Sequence, residues 1–176
     1  MLYKCREIVK VDLSYFDCSI ISSCENMFSE CESLANINLG NLDFNNSTSF
    51  EGMFNNCKNL IKIDVSKFNT KKSISFENIF NGCLKIKDLD VSKFETSKCQ
   101  NISRLFKACQ NLKAIDILNW DMQKIRFNKT LFPIGLINNA NNKGNLALGI
   151  ARLGVIGAIV AAAAISGDSK EYDPFF

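Results

Sequence analysis

Apolar positions recur along this chain at a fixed interval of 26 residues, with mostly polar residues between them. Phe28, Phe54, Phe80, Phe106 and Phe132 stand 26 apart, and so do Cys5, Cys31, Cys57, Cys83 and Cys109. Three apolar columns keep the same step: Ile8, Leu34, Leu60, Ile86 and Leu112; Val11, Ile37, Ile63, Leu89 and Ile115; Leu13, Leu39, Val65, Val91 and Ile117. A sixth column is aromatic-rich, with Phe16, Leu42, Phe68, Phe94 and Trp120. Six columns in step over four or five copies, without an insertion, define an internal repeat, and a repeat of this length implies an array of stacked units.

Within one unit, residues 60–68 alternate around Ile63, Asp64 and Val65, which predicts a strand. Residues 69–75 are polar and turn-like. Phe76, Ile79, Phe80 and Cys83 then fall at i, i+3, i+4 and i+7, which predicts a helix of about two turns. Ser49, Ser75 and Asn101 precede these faces in three copies and are placed to cap them. One strand and one short helix cannot bury their apolar faces alone, so neighbouring units must complete the core. In-register strands lie about 4.8 Å apart, which turns each column into a buried ladder. Constant length follows, because one inserted residue would reverse the faces of a strand. The expected fold class is α/β: a solenoid with a parallel sheet of about five strands and short helices over residues 1–132, the last repeat degenerate.

The spacing Leu34-x-x-Ile37-x-Leu39, repeated as Leu112-x-x-Ile115-x-Ile117, is that of leucine-rich repeats. The fuller pattern runs from Met53-Phe54 through Cys57, Leu60, Ile63, Asp64, Val65, Ser66, Lys67 and Phe68 to Thr70. It resembles the 26-residue repeats of BspA-type leucine-rich-repeat surface proteins, as in mycoplasma-type surface lipoproteins, over roughly residues 2 to 132. The resemblance implies a right-handed solenoid and a role in surface attachment or partner binding, without a catalytic centre. No capping segment or signal peptide is expected at the start: residues 1–10 carry Lys4, Arg6, Glu7 and Lys10 and lack an apolar stretch. Either the chain is a fragment or it does not use the usual export route.

Composition narrows the chemistry. Apolar residues make up 47% and charged residues 22%, so a packed core is expected. A net charge of +3 does not point to nucleic acid as a partner. The chain has no histidine, which removes Cys-His and Ser-His catalysis and mixed Cys/His zinc sites. It also lacks a phosphate-binding loop and a dinucleotide fingerprint, so an enzyme is not expected, and no cofactor or metal is assigned. Five of the eight cysteines occupy one apolar column and read as small buried hydrophobes, in preference to disulfides. Cys24 takes the place of Phe50 and Phe76 and is expected in the core. Cys18 and Cys99 lie off the column and are expected to be the exposed thiols.

A polar column, Asp12, Asn38, Asp64, Asp90 and Asp116, points out of the expected sheet between inward apolar residues. Stacked carboxylates about 5 Å apart repel, a cost that asks for a reason. One reason is a strip that binds a cation or basic ligand, with Asp12, Asp64, Asp90 and Asp116 as the candidate binding residues. The other is local neutralisation by Lys10, Lys62, Lys67 and Lys93, with Ser66 and Ser92 as hydrogen-bond partners.

After an Asn-rich linker (133–145) comes an apolar segment, 146–166, whose only charge up to Ile165 is Arg152. As a helix, its twenty residues to Ile165 would span about 30 Å, enough for a bilayer. Small residues at Gly154 and Ala158, and at Gly157 and Ala161, would permit close helix packing. The uninterrupted run from Leu153 to Ile165 is shorter and also suits a helix covering the open end of the solenoid. Residues 167–176 form a short polar tail. Membrane association is therefore expected, single-pass or tail-anchored, with the side undetermined. The charges around the segment would keep the repeats cytoplasmic, whereas the family resemblance predicts surface display. Asn45, Asn46, Asn101 and Asn128 begin N-x-S/T triplets, which would matter only on an exported chain. Two functions follow: a non-enzymatic, membrane-anchored module for binding a protein or surface ligand, or a scaffold subunit of a larger assembly whose C-terminal helix packs on partners or caps the solenoid.

Overall fold

The computed structural model describes residues 2–16, 21–40, 42, 44–113, 115–117, 119–121 and 123–125. Cys18, Asn128, Phe132, the linker, the apolar segment and the tail lie outside the described residues, and with them every membrane expectation. Among the described residues, no helix is long and apolar enough to cross a membrane.

Copies 26 residues apart lie side by side. Strand β1 (Lys10–Asp12) pairs in parallel with β2 (Asn36–Asn38), with Val11 opposite Ile37 and Asp12 opposite Asn38. Single parallel bridges carry the same register from Asn36 to Lys62, and along another wall from Ser49 to Ser75 to Asn101. The expectation of about five strands is corrected here: among the described residues only the first two copies form strands, each three residues long. The strands are short for a local reason: Asp12 and Asn38, which end them, each accept the backbone N–H two residues on (2.9 and 3.0 Å) and bend the chain there, a turn that Asp64 and Asp90 repeat (2.9 Å).

The expected helices are also corrected: no described residue is helical. Each of these segments is a run of tight turns. Asn26, Gly52, Asn78 and Arg104 form one column with φ between 52° and 61°. Glu30, Asn56, Gly82 and Ala108 form a second, four residues later, with φ between 58° and 74°. An α-helix cannot propagate through a left-handed residue at every fourth position. The backbone hydrogen bonds alternate instead. The N–H groups of Cys24, Asn26, Phe28 and Glu30 donate to the next copy at Ser49, Glu51, Met53 and Asn55 (2.7–2.9 Å). Those of Met27, Ser29 and Cys31 donate three residues back. The i, i+3, i+4, i+7 spacing still selects the inward side chains, so Phe76, Ile79, Phe80 and Cys83 are all fully buried. Ser49, Ser75 and Asn101 cap turns rather than helices, accepting the N–H of Glu51, Glu77 and Ser103.

The core is built from ladders. Phe28, Phe54, Phe80 and Phe106 stack face to face with centroids 5.3, 5.9 and 6.1 Å apart and planes within 8°. Phe68, Phe94 and Trp120 make a second stack at 6.2 and 6.3 Å. The Phe16 position departs from its column: it is 58% exposed, whereas Leu42, Phe68, Phe94 and Trp120 below it are buried. Leu2, Cys5 and Ile8 of the same first copy are only partly buried, since no described rung covers them.

Candidate functional site

The polar column lies on the exposed face of the paired wall. Lys10 and Asp12 of β1 face outward on either side of buried Val11, and Asn38, Asp64, Asp90 and Asp116 are likewise exposed. The carboxylates are held by the chain that follows them. Asp90 Oδ1 accepts both the backbone N–H (2.9 Å) and the hydroxyl (2.6 Å) of Ser92. Asp12 Oδ1 accepts the Ser14 N–H at 2.9 Å and Nδ2 of Asn38 at 3.2 Å, so neighbouring rungs are linked by an amide–carboxylate bond. Substituting Asn38 into the acidic column thus supplies a donor where a fifth carboxylate would repel. These bonds hold Asp12, Asp64 and Asp90 below the ordinary aspartate range, the Ser14, Ser66 and Ser92 hydrogen bonds outweighing the lysines Lys10, Lys62, Lys67 and Lys93. Among the described residues, no group of three or more Cys, Asp or Glu is arranged to hold a metal ion.

A cleft of about 290 Å³ opens on this face. Its rim carries Ser14, Asn38, Asp64 and Lys67, and its floor includes Leu39 and Phe68. Two departures in the second copy shape it. Gly40 stands where the other copies have Ser14, Ser66 and Ser92, and Phe44 stands where they have Thr70 and Thr96. Sequence reading followed the shared columns and missed both exceptions.

The turn wall carries a second acidic column, Glu25, Glu51 and Glu77. Burial, together with Glu77 and Glu25, raises the Glu51 carboxyl above its ordinary value. The Glu51 carboxylate accepts from the Ser75 hydroxyl (3.3 Å), and that of Glu77 from Nδ2 of Asn101 (2.6 Å). Asp12, Asp64 and Asp90 on one wall and Glu51 on the other respond to acid in opposite directions. The Asp12, Asp64 and Asp90 carboxylates bind protons less tightly folded than unfolded, so their contribution is complete above about pH 4 and is lost below it. Glu51 binds its proton more tightly when folded, so its ionisation costs stability as pH rises through the glutamate range. The combined variant D12N/D64N/D90N should therefore flatten the fall in melting temperature between about pH 4 and pH 2.5, measured by circular dichroism.

The cysteine column has a chemical role beyond filling space. The thiols of Cys31, Cys57, Cys83 and Cys109 donate to the carbonyls of Leu2, Phe28, Phe54 and Phe80 in the preceding copy at 2.9, 3.1, 3.2 and 3.0 Å. A thiol is apolar enough for the core yet still satisfies a buried carbonyl. Cys5, Cys31, Cys57, Cys83, Cys99 and Cys109 are in the thiol form. Burial pushes Cys57 and Cys109 up to about 12 and Cys83 well above its ordinary value. The expectation that Cys99 is exposed is wrong: it is fully buried and raised to about 11. It belongs to the buried column Ser47, Ser73, Cys99 and donates to the Asn101 carbonyl (3.4 Å), as the Ser47 and Ser73 hydroxyls donate to the carbonyls of Ser49 and Ser75. Because the reactive species is the thiolate, Cys57, Cys83, Cys99 and Cys109 should resist alkylation in the folded chain and react together on unfolding. Peptide mass mapping after a timed iodoacetamide pulse checks this.

No curated protein and no solved structure matches the chain. A family model described as "Mycoplasma protein of unknown function, DUF285" matches residues 1–62 and again residues 22–142. Overlapping matches of one model in two alignments are what a tandem repeat produces. Together they extend over most of the 176 residues, and the chain belongs to the DUF285 family of mycoplasma proteins.

Proposed function

We propose that this chain is a non-enzymatic module of the BspA-type leucine-rich-repeat class, a solenoid that binds a protein or surface ligand and is held at a membrane by residues 146–166. The observation that carries this reading is the combination of a rigid stacked interior with an outward face of ordered polar groups. Asp12, Asn38, Asp64 and Asp90 are each fixed by an adjacent backbone amide, so the face offers oriented acceptors that lose little freedom when a partner docks. The resemblance of the repeats to BspA-type surface proteins, in a chain of a mycoplasma family, suggests surface attachment as the setting. Binding at this face would use Asp12, Asp64, Asp90 and Asp116 as acceptors for a basic or hydroxyl-rich partner, beside the cleft between Ser14 and Lys67.

The test has two arms. The full chain and a version ending at residue 145 are expressed in a mycoplasma host and separated into membrane and soluble fractions. Membrane recovery of the full chain alone supports the anchor, and wholly soluble recovery of the intact chain removes it. Crosslinking then compares partners captured by the wild type and by D64N/D90N. Identical capture would remove the acidic face from the proposal.

A further inference from the structure

The edge that follows the paired wall carries a single-file row of cations. Lys72, Lys98 and Lys124 stand 26 residues apart in three consecutive copies, and all three are exposed. They are held in register from both sides. Four residues earlier, Phe68, Phe94 and Trp120 stack at 6.2 and 6.3 Å. Two residues earlier, the buried Thr70 hydroxyl accepts the N–H of Glu95 (2.7 Å) and donates to its carbonyl (3.2 Å), and Thr96 donates to the carbonyl of Asp121 (3.0 Å). Two residues later, the N–H of Gln100 donates to the carbonyl of Ile74 (2.9 Å).

Like charges held one above another destabilise a stack. No ion pair within 4.0 Å relieves Lys72, Lys98 or Lys124 among the described residues; the closest polar contact of the row is Lys72 Nζ donating to Asn46 Oδ1 (3.2 Å). The neighbouring column adds Lys71, Ser97 and Gln123. We propose that this ridge binds a linear acidic polysaccharide, with one lysine per rung meeting successive carboxylate or sulfate groups and the flanking hydroxyl and amide side chains meeting sugar hydroxyls. Among the described residues the ridge has no exposed aromatic side chain that would stack nucleic-acid bases. It is also narrow, and Ile74 is the one exposed large apolar neighbour among the described residues, which suits a chain better than a bilayer surface. The inference names a ligand class for the binding module proposed above, on a different surface from the acidic face.

The experiment measures binding of the full chain to immobilised dextran sulfate and polygalacturonate. Uncharged dextran, single-stranded DNA and phosphatidylcholine–phosphatidylglycerol vesicles serve as comparators. K72Q/K98Q/K124Q should weaken polysaccharide binding by about tenfold or more and reduce its salt dependence. K85Q/K87Q/K107Q removes the same charge elsewhere and should change binding less than about twofold. Unchanged circular dichroism in both variants assigns the difference to the ridge. Equal losses in the two variants, no loss in the first, or equally tight binding to DNA or vesicles would overturn the inference. Partner capture by the acidic face is measured separately and would survive that failure.

Discussion

Replacing Phe80 by alanine is expected to lower the free energy of unfolding by about 3–5 kcal/mol, the range for removing a fully buried aromatic ring. Phe80 is fully buried between Phe54 (5.9 Å, 2° between planes) and Phe106 (6.1 Å, 3°). Truncation opens a void in the middle of the ladder and removes two stacking contacts at once. Its carbonyl also accepts the Cys109 thiol, so any collapse around the void shifts that contact too. Phe80→Leu, which refills most of the volume, should cost clearly less. Phe54→Ala and Phe80→Ala should not add, because the two rings touch. Urea unfolding followed by circular dichroism gives all four values. A loss under about 1 kcal/mol for Phe80→Ala would mean that the stack does not support the fold.

Gly40→Ala should cost about 2–4 kcal/mol, from left-handed backbone strain and overpacking together. Gly40 has φ +58°, and a Cβ there would lie 2.4 Å from the Ser14 Cα and 3.2 Å from the Leu13 carbonyl oxygen. Those are backbone atoms of the preceding copy, so no rotamer change relieves the contact. The added methyl must push apart the segments that follow β1 and β2. Because each copy is bonded to its neighbours, the damage should stay local. Amide exchange should rise in residues 10–13 and 36–40 and remain unchanged in residues 99–113. Uniform acceleration along the chain would argue for one cooperative block instead.

The sequence disclosed the interior better than the backbone. The 26-residue columns named the buried ladders of Phe54, Cys57, Leu60, Ile63 and Val65 correctly, because burial follows hydrophobic spacing whatever the local conformation. The same spacing misassigned the turn wall. Phe76, Ile79, Phe80 and Cys83 satisfy a helical face, yet the column Asn26, Gly52, Asn78, rich in residues that tolerate positive φ, already carried the contrary signal. Cys99 was misplaced because its column holds Ser47 and Ser73, whose burial depends on hydroxyl-to-carbonyl bonds rather than on hydrophobicity. The acidic face was legible as a column, with Ser66 and Ser92 as hydrogen-bond partners, whereas the part played by Ser14 and by the backbone N–H groups two residues on needed coordinates. The cleft beside it arises where the second copy breaks the repeat, and averaging over copies hides such exceptions.

The directions of the inter-copy hydrogen bonds have an electrical consequence. On the turn wall, the N–H groups of Phe28, Phe54 and Phe80 point toward the following copy. On the other walls, those of Ile61, Ile74, Gln100 and Lys113 point toward the preceding one, while Leu13 donates to the following copy at Asn38. Peptide dipoles between copies therefore run in both senses and partly offset one another, unlike the aligned dipoles of a helix. Each added copy thus builds less partial charge at the ends than the same length of helix would.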